Sequence, residues 1–399
     1  MLDVAIIGGG PAGIAAALTL KARGVRRVAI LEREAVLGGV PRHCGHPPFG
    51  LREFGRILTG PAYARRLAAL AEEAGVEILP RYSVTALQPG GVVQAATPNG
   101  AATIRARRVL LATGAREAPR AARFVGGDRP LGVLNTGALQ AYVHLHGLAP
   151  FRRPVVVGTE LVGLSALATC RSHGIRPVAV VEAGARPVAR WPLGLFPKLL
   201  GIPTYFNDGI EEIRGHGRVE AVRLRGGREL TCDGVLLTGR FLPEASLARL
   251  SHLALDPGSL GPVIDQYGRC SDGAYFAAGN LLRPIETAGW SFREGAAIGG
   301  YIADDLAGGL PAMEESINIV AGEGVKFVVP QRLARVTPLR GRLQLRVEAA
   351  ISGRLRVSSE EAVLYKRRIS TRPERRILIE LDEMRPPREA RQLVVEIVP

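Results

Sequence analysis

Apolar and polar positions follow two rhythms along this chain. Val4–Ile7 form a short β-branched run, Gly8 to Gly13 a glycine turn, and an Ala/Leu-rich helical stretch is closed by Gly24 before a second apolar run ends at Glu32. The same pattern returns without gaps 150 residues later, so that Gly8 matches Gly158, Gly13 matches Gly163, Gly24 matches Gly174 and Glu32 matches Glu182. Self-similarity of this kind predicts two strand–helix–strand units. After about Met313 the rhythm changes to short alternating runs at Val325–Val329, Leu343–Ala350, Leu355–Val357, Ile377–Leu381 and Leu393–Val398, punctuated by Gly and Pro. These predict a small β-sandwich or meander.

The first glycine turn carries chemistry. Gly8-x-Gly10-x-x-Gly13 follows a strand and opens a helix, and Glu32 stands about twenty residues on, which is the full context of a dinucleotide fingerprint. Gly8 permits the tight turn, Gly10 lets backbone approach a pyrophosphate, and Gly13 allows close packing of helix on strand. The helix N-terminus at Pro11 and Ala12 then faces the phosphate charge, and Glu32, followed by Arg33, accepts from ribose hydroxyls. The bland alternative is a glycine turn in some other α/β sheet.

In the second copy Glu160 stands where the middle glycine should be, in Gly158-Thr159-Glu160-Leu161-Val162-Gly163. Its bulk fills the approach to a pyrophosphate and its charge repels a dianion, so the copy is expected to keep the fold without binding NAD(P). The competing reading is that Glu160 turns outward and Glu182 still holds a ribose.

Composition narrows the function classes. With 47% apolar and 22% charged residues the 399-residue chain reads as an ordinary globular protein of more than one domain. No apolar run approaches the roughly 18 residues of a membrane span, and the opening MLDVAIIGGG holds no basic-then-apolar leader, so a cytoplasmic protein without a membrane span is expected. Cys44, Cys170, Cys232 and Cys270 are too scattered for a disulfide framework or a paired zinc motif. The formal charge of +15 raises nucleic acid as a partner, yet only four basic residues are lysines and no basic helix with interleaved aromatics accompanies them. Nucleic-acid binding is therefore not expected. From Gln331 onward 16 basic residues face 9 acidic ones, marking the last 69 residues as a unit of their own. Its alternating arginines are either a solvated face or a docking surface for an acidic partner.

Three further motifs complete a resemblance. Gly38-Gly39 follows Glu32; Val109-Leu110-Leu111 leads into Ala112-Thr113-Gly114; and Tyr275-Phe276-Ala277-Ala278 leads into Gly279-Asn280. With the fingerprint, these resemble the flavoproteins with two dinucleotide-binding domains that are similar to pyridine nucleotide-disulfide oxidoreductases, over about residues 1–312. The resemblance implies an α/β fold of two Rossmann-like, glutathione-reductase-type domains, to which the alternating runs after Met313 add a small C-terminal all-β domain. The expected boundaries are 1–118 with 259–312 for a discontinuous FAD-binding domain, 119–258 for a degenerate NAD(P)-binding-like domain, and 313–399 for the basic β-domain. FAD is the implied cofactor, with Val84 at the adenine strand, Asn280 (where the family usually has Asp) at a ribityl hydroxyl, and Thr287 at the start of a helix whose amides face the flavin's pyrimidine edge.

The family's two redox cysteines would fall at Pro41 and His46, so dithiol chemistry is not expected. Arg42-His43-Cys44-Gly45-His46, with Phe49-Gly50-Leu51 and Thr59-Gly60-Pro61-Ala62-Tyr63, is similar to a narrower group. These are FAD subunits that accompany a second flavoprotein in bacterial dehydrogenase complexes acting on hydroxyproline, opines, proline, glycine or glycerol 3-phosphate. Cys44 and His46 are the candidate catalytic residues, readable as a thiolate–imidazolium pair, as metal ligands or as a packed loop; no metal site is assigned. Arg116, Glu117 and Arg283 are positional candidates only. The leading expectation is an FAD electron-relay subunit of a dehydrogenase oxidising an amino acid, amine or hydroxy acid. Its expected partners are a small-molecule substrate and a second flavoprotein or dehydrogenase subunit. The alternatives are a self-sufficient NAD(P)H-dependent flavin reductase or oxidase, and a non-catalytic adaptor stabilised by FAD.

Overall fold

The computed structural model describes residues 1–313, 316–336, 339, 341–360, 362–387 and 389–398. They form two compact units: residues 1–39, 64–115 and 243–399 in the first, and residues 40–63 and 116–242 in the second.

In the first unit the strand Leu2–Ile7 lies parallel between Val28–Glu32 and Gly100–Leu111, with Glu77–Pro80 beyond Val28–Glu32. The burial of Val4 to Ile6 and of Val28 to Leu31 on both sheet faces explains their unbroken apolar runs. The long strand Gly100–Leu111 serves two structures, pairing antiparallel with Val92–Thr97 and, through Val109 to Leu111, parallel with Tyr275–Ala277. Strand Tyr275–Ala277 thus lies one strand away from Leu2–Ile7, and the turn that follows it brings Gly279 against Ala12 at the fingerprint turn. Helix Pro11–Ala22 crosses helix Ala288–Leu306 closely because Gly295 and Gly299 carry no side chain. A Cβ on either would fall 2.0 Å from the Ala12 carbonyl oxygen or 2.7 Å from that of Ala16.

The C-terminal strands form two sheets. One runs Arg332–Ala334, Ser316–Ala321, Gln392–Val398, Ile351–Ser358, Val363–Thr371; the other runs Val325–Val329, Arg342–Val347, Ile377–Glu380. Ile317, Leu355, Val395, Leu343 and Ile379 from both sheets share one core. Two sheets closed on one core make this a sandwich, and the parallel pairing of Ser316–Ala321 with Gln392–Val398 excludes a simple meander. Phe327 and Val329 turn the other way, into the core under the first sheet, so the C-terminal sheets are built onto the same unit.

The second unit repeats the first in miniature. Strand Pro154–Val157, helix Leu161–Ser172 and strand Ala179–Glu182 follow one another, and the parallel sheet is completed by Thr204–Phe206, Gly234–Leu237 and Val133–Asn135. A second sheet of four strands holds Glu229–Thr231, Ala221–Leu224, Ile210–Arg214 and Gly126–Gly127.

Candidate functional site

The fingerprint turn of the first unit is a cradle of bare backbone. Gly8 has φ +107°, and a Cβ there would sit 2.5 Å from the Ala112 carbonyl oxygen; one on Gly13 would sit 2.0 Å from that of Gly8. Gly39 faces Gly10 so closely that its own Cβ would come within 3.0 Å of the Gly10 Cα, and Gly38 donates its amide to the Gly9 carbonyl at 2.7 Å. The buried Glu32 carboxylate accepts from the Gly9 and Glu34 amides at 2.8 and 2.9 Å. Each of its oxygens keeps further acceptor capacity for a ribose hydroxyl.

The other expected contacts gather around this turn. Ala112 donates its amide to Ile7, the Thr113 hydroxyl donates to the Glu244 carbonyl, and the Gly114 carbonyl accepts from the Glu244 amide. The Tyr82 amide bonds the Glu32 carbonyl, setting half-buried Val84 on the strand just beyond. Gly279 has φ +78°, and its Cβ would come within 2.9 Å of the Ala12 side chain. Arg33 instead lies at the surface beside Glu34, and Thr287 is the exposed N-cap of helix Ala288–Leu306, its hydroxyl making no capping bond.

Three side chains that the sequence pattern does not single out, or places only by position, complete the turn. Glu294 accepts the Gly279 amide at 2.7 Å and pairs with Arg283. Arg283 is buried, yet its Nε and Nη1 have no partner among the described residues, and neither has the buried Ser291 hydroxyl next to Gly279. Donors buried without acceptors are costly. Unsatisfied donors, a glycine cradle and a carboxylate with spare acceptor capacity fit a dinucleotide carrying a diphosphate and a ribose, so these residues suit FAD. Asn280 is engaged otherwise: its Oδ1 accepts from the Glu286 amide at 2.7 Å and its Nδ2 donates to the Glu286 carbonyl at 3.2 Å. One hydrogen and one lone pair on the amide remain for a ligand.

The second copy is built the same way up to its middle residue. Thr159 donates both amide and hydroxyl to Glu182, as Gly9 donates its amide to Glu32, and the Gly184 amide takes the other oxygen. Glu160 then turns inward. Its carboxylate accepts from the Thr238 hydroxyl, and its oxygens lie 2.6 Å from where a Cβ on Gly158 or Gly239 would stand. Burial raises the carboxyl above the usual range, with Thr238 opposing that shift. Arg123 does not pair directly with Glu160, since its guanidinium donates to the carbonyls of Ala118, Thr238 and Gly239. The outward orientation considered for Glu160 is not the one adopted.

Cys44 and His46 belong to the second unit and are each engaged elsewhere. The Cys44 thiol lies 3.4 Å from the Gln140 Oε1, and its pKa is pushed up to about 12 by burial and then by the Glu117 charge. It is a neutral thiol at physiological pH. His46 Nδ1 lies 2.9 Å from the Pro47 carbonyl and its ring packs on Phe49, while Gly45 between them presses against the His144 ring. Glu117 accepts the Gly137 and Gly239 amides, and burial raises its carboxyl. All four cysteines are free, and among the described residues no group of His, Cys, Asp and Glu could hold a metal. No described helix is long and apolar enough to cross a membrane.

Comparison with known proteins agrees with this geometry. The alpha chain of sarcosine oxidase from Rhizobium meliloti (strain 1021) is 28% identical over 362 residues, covering 82% of this chain and 33% of that protein. An opine oxidase component of Agrobacterium tumefaciens (strain Ach5) is 27% identical over 344 residues, covering 78% of this chain and 64% of the other. The chain therefore spans between a third and two thirds of these relatives. L-proline dehydrogenase from P. horikoshii shares the fold at a TM-score of 0.60 with 23% identity, over 77% of this chain and 56% of that one. Residues 2–295 match the pyridine nucleotide-disulphide oxidoreductases, a family that implies FAD binding, and the chain belongs to that family of FAD-dependent oxidoreductases.

Proposed function

We propose that this chain is the FAD-bearing electron-relay subunit of a multi-subunit oxidase or dehydrogenase whose amino acid, amine or hydroxy-acid substrate is oxidised largely on a partner chain. The observation that carries this reading is Glu160, whose carboxylate fills the turn of the second dinucleotide fold. A nicotinamide dinucleotide would bring its diphosphate against that carboxylate, so NAD(P) is not the main electron donor. Electrons then come from a partner, in keeping with relatives whose names mark them as oxidase subunits.

When bound, FAD supplies chemistry that can take up two electrons together and pass them on singly or in pairs. Glu32 would hold the adenosine ribose, the Gly8 to Gly13 backbone would admit the diphosphate, and the Arg283 and Ser291 donors would gain the acceptors they lack among the described residues. Helix Ala288–Leu306 directs its positive end toward the segment after Asn280, favouring negative charge on a group bound there. Cys44, held as a thiol, helps pack its loop and takes no part in electron transfer. The test is an anaerobic titration of the FAD-loaded protein with NADH and NADPH, following the flavin absorbance. No bleaching is expected. Rapid bleaching at micromolar nucleotide would make the chain a self-sufficient reductase.

A further inference from the structure

The C-terminal sheets reach toward the flavin turn through one carboxylate. Strand Arg342–Val347 alternates, sending Leu343, Leu345 and Val347 into the sandwich core and presenting Gln344 and Arg346 on its other face. Those two side chains hold Glu286: Arg346 at 2.8 Å and Gln344 at 2.6 Å on one carboxylate oxygen, with Arg376 at 2.7 Å on the other. Glu286 and Arg346 are about nine-tenths buried. Arg346 also reaches the Ile285 carbonyl, and the Arg376 guanidinium lies 3.7 Å above the ring of Trp290, in the first turn of helix Ala288–Leu306. From Glu286 the connection continues inward, because its backbone amide and carbonyl are both taken by the Asn280 side chain, next to the Gly279 turn.

This arrangement gives a physical reason for asparagine at position 280. An aspartate could accept from the Glu286 amide but would set a second acceptor against the Glu286 carbonyl, where Asn280 donates. The amide is the side chain of this size that satisfies both ends of the loop.

We propose that Glu286 and Asn280 are positioning residues, through which Arg346 on strand Arg342–Val347 and Arg376 just before strand Ile377–Glu380 latch the Gly279 to Thr287 segment in the shape that binds the flavin. The proposal rests on the FAD reading above. It gives the C-terminal sheets a role in the cofactor site that their distance in sequence from the glycine fingerprint conceals. A buried carboxylate shared by two guanidiniums is costly to assemble and fixes geometry once made, which suits it to hold a loop in one conformation.

The experiment titrates the apo-protein with FAD, reading quenching of flavin fluorescence, in a Trp191→Phe background so that Trp290 is the sole remaining tryptophan. Asn280→Asp and Glu286→Gln should each weaken FAD binding by about tenfold, the loss of one buried hydrogen bond with its partner left unsatisfied. The double variant should lose little more than either single one, since both open the same latch. Trp290 emission should shift to the red in Glu286→Gln as Arg376 leaves its ring. Asn280→Asp leaves the buried ion pairs intact, so it remains informative if Glu286→Gln folds poorly. Arg342→Ala, which removes an exposed ion pair with Glu380 on the same sheet, should leave FAD affinity unchanged. Unchanged affinity in Asn280→Asp, or losses that add in the double variant, would overturn the latch. Failure of the parent itself to bind FAD would instead overturn the cofactor reading, and the latch with it.

Discussion

The Glu160 carboxylate accepts a hydrogen bond from the Thr238 hydroxyl inside a glycine turn whose counterpart in the first unit is open backbone at Gly10. At the middle position of the repeat, glycine in one copy and glutamate in the other thus separate a cradle that admits a diphosphate from one that is filled by the protein. Glu160→Gly should open the second cradle. Nucleotide affinity should rise by about tenfold or more as a buried like-charge contact is removed, and NADH should begin to bleach the flavin of the variant. Equal nucleotide affinity in parent and variant, read by calorimetry, would show that Glu160 is not what closes the site.

The same carboxylate makes a prediction about pH. Its pKa is raised in the folded protein by burial, so the native state binds its proton more tightly than the unfolded chain does. Stability therefore falls as pH rises from the ordinary carboxylate range through the raised value, and the whole penalty is present above it. Glu160→Gln keeps an acceptor for Thr238 and abolishes that titration. The variant should melt above the parent at pH 7 to 8, with the gap closing as the pH is lowered toward 4; a gap that is constant across the range would mean that the charge is not the cause.

Glu32 holds the first turn in shape and has acceptor capacity to spare. Glu32→Ala leaves the Gly9 and Glu34 amides without their acceptor and removes the ribose contact, so FAD affinity should drop by about a hundredfold. Glu182→Ala, the matching change in the second unit, should leave FAD affinity where it was. Reconstitution of the two apo-variants separates them, and a comparable loss in Glu182→Ala would place the flavin in the wrong fold.

What is legible in the sequence is what is local in the chain. Gly8, Gly10, Gly13 and Glu32 lie within one strand–helix–strand unit, and their spacing alone places them around one turn. The inward turn of Glu160 is one of two orientations the sequence leaves open, because it is decided by Thr238, 78 residues further on. Glu286 carries no sequence signal, since its partners Arg346 and Arg376 lie 60 and 90 residues away and its role exists only once the sandwich has formed. Strand Val363–Thr371 escapes the sequence pattern for a related reason. Its Lys366-Arg367-Arg368 run breaks the apolar alternation, and the strand is held by pairing with Ile351–Ser358 and by only partly buried contacts of Leu364, Tyr365 and Ile369 with the core. Gly295 and Gly299 read as ordinary helix residues until helix Pro11–Ala22 is laid across them.

That crossing can be tested by packing alone. A methyl group at position 295 would stand 2.0 Å from the Ala12 carbonyl oxygen, which is backbone and cannot swing aside. Gly295→Ala should destabilise the protein by about 1–3 kcal/mol or shift the helix by enough to disturb Ala12 at the mouth of the fingerprint turn, so that melting temperature and FAD affinity fall together. Gly300→Ala, five residues along the same helix with open space around its Cβ, should gain slightly from helix propensity and keep its FAD.

The thiol at Cys44 faces Gln140 from its loop. Its pKa is pushed up to about 12, first by burial and then by the Glu117 charge, so at pH 7.5 nearly every molecule carries the unreactive SH form although the residue is only partly buried. Iodoacetamide should alkylate the folded protein slowly at Cys44, and raising the pH to 9 should speed the reaction only in proportion to the small thiolate fraction. Glu117→Gln removes the nearby charge and should lower the thiol's pKa, making alkylation faster at the same pH. Cys44→Ser should retain electron transfer from the partner to the flavin at close to the parent rate. Rapid alkylation at pH 7, together with loss of transfer in Cys44→Ser, would restore Cys44 as a catalytic thiolate and displace the account in which it packs its loop against Gln140.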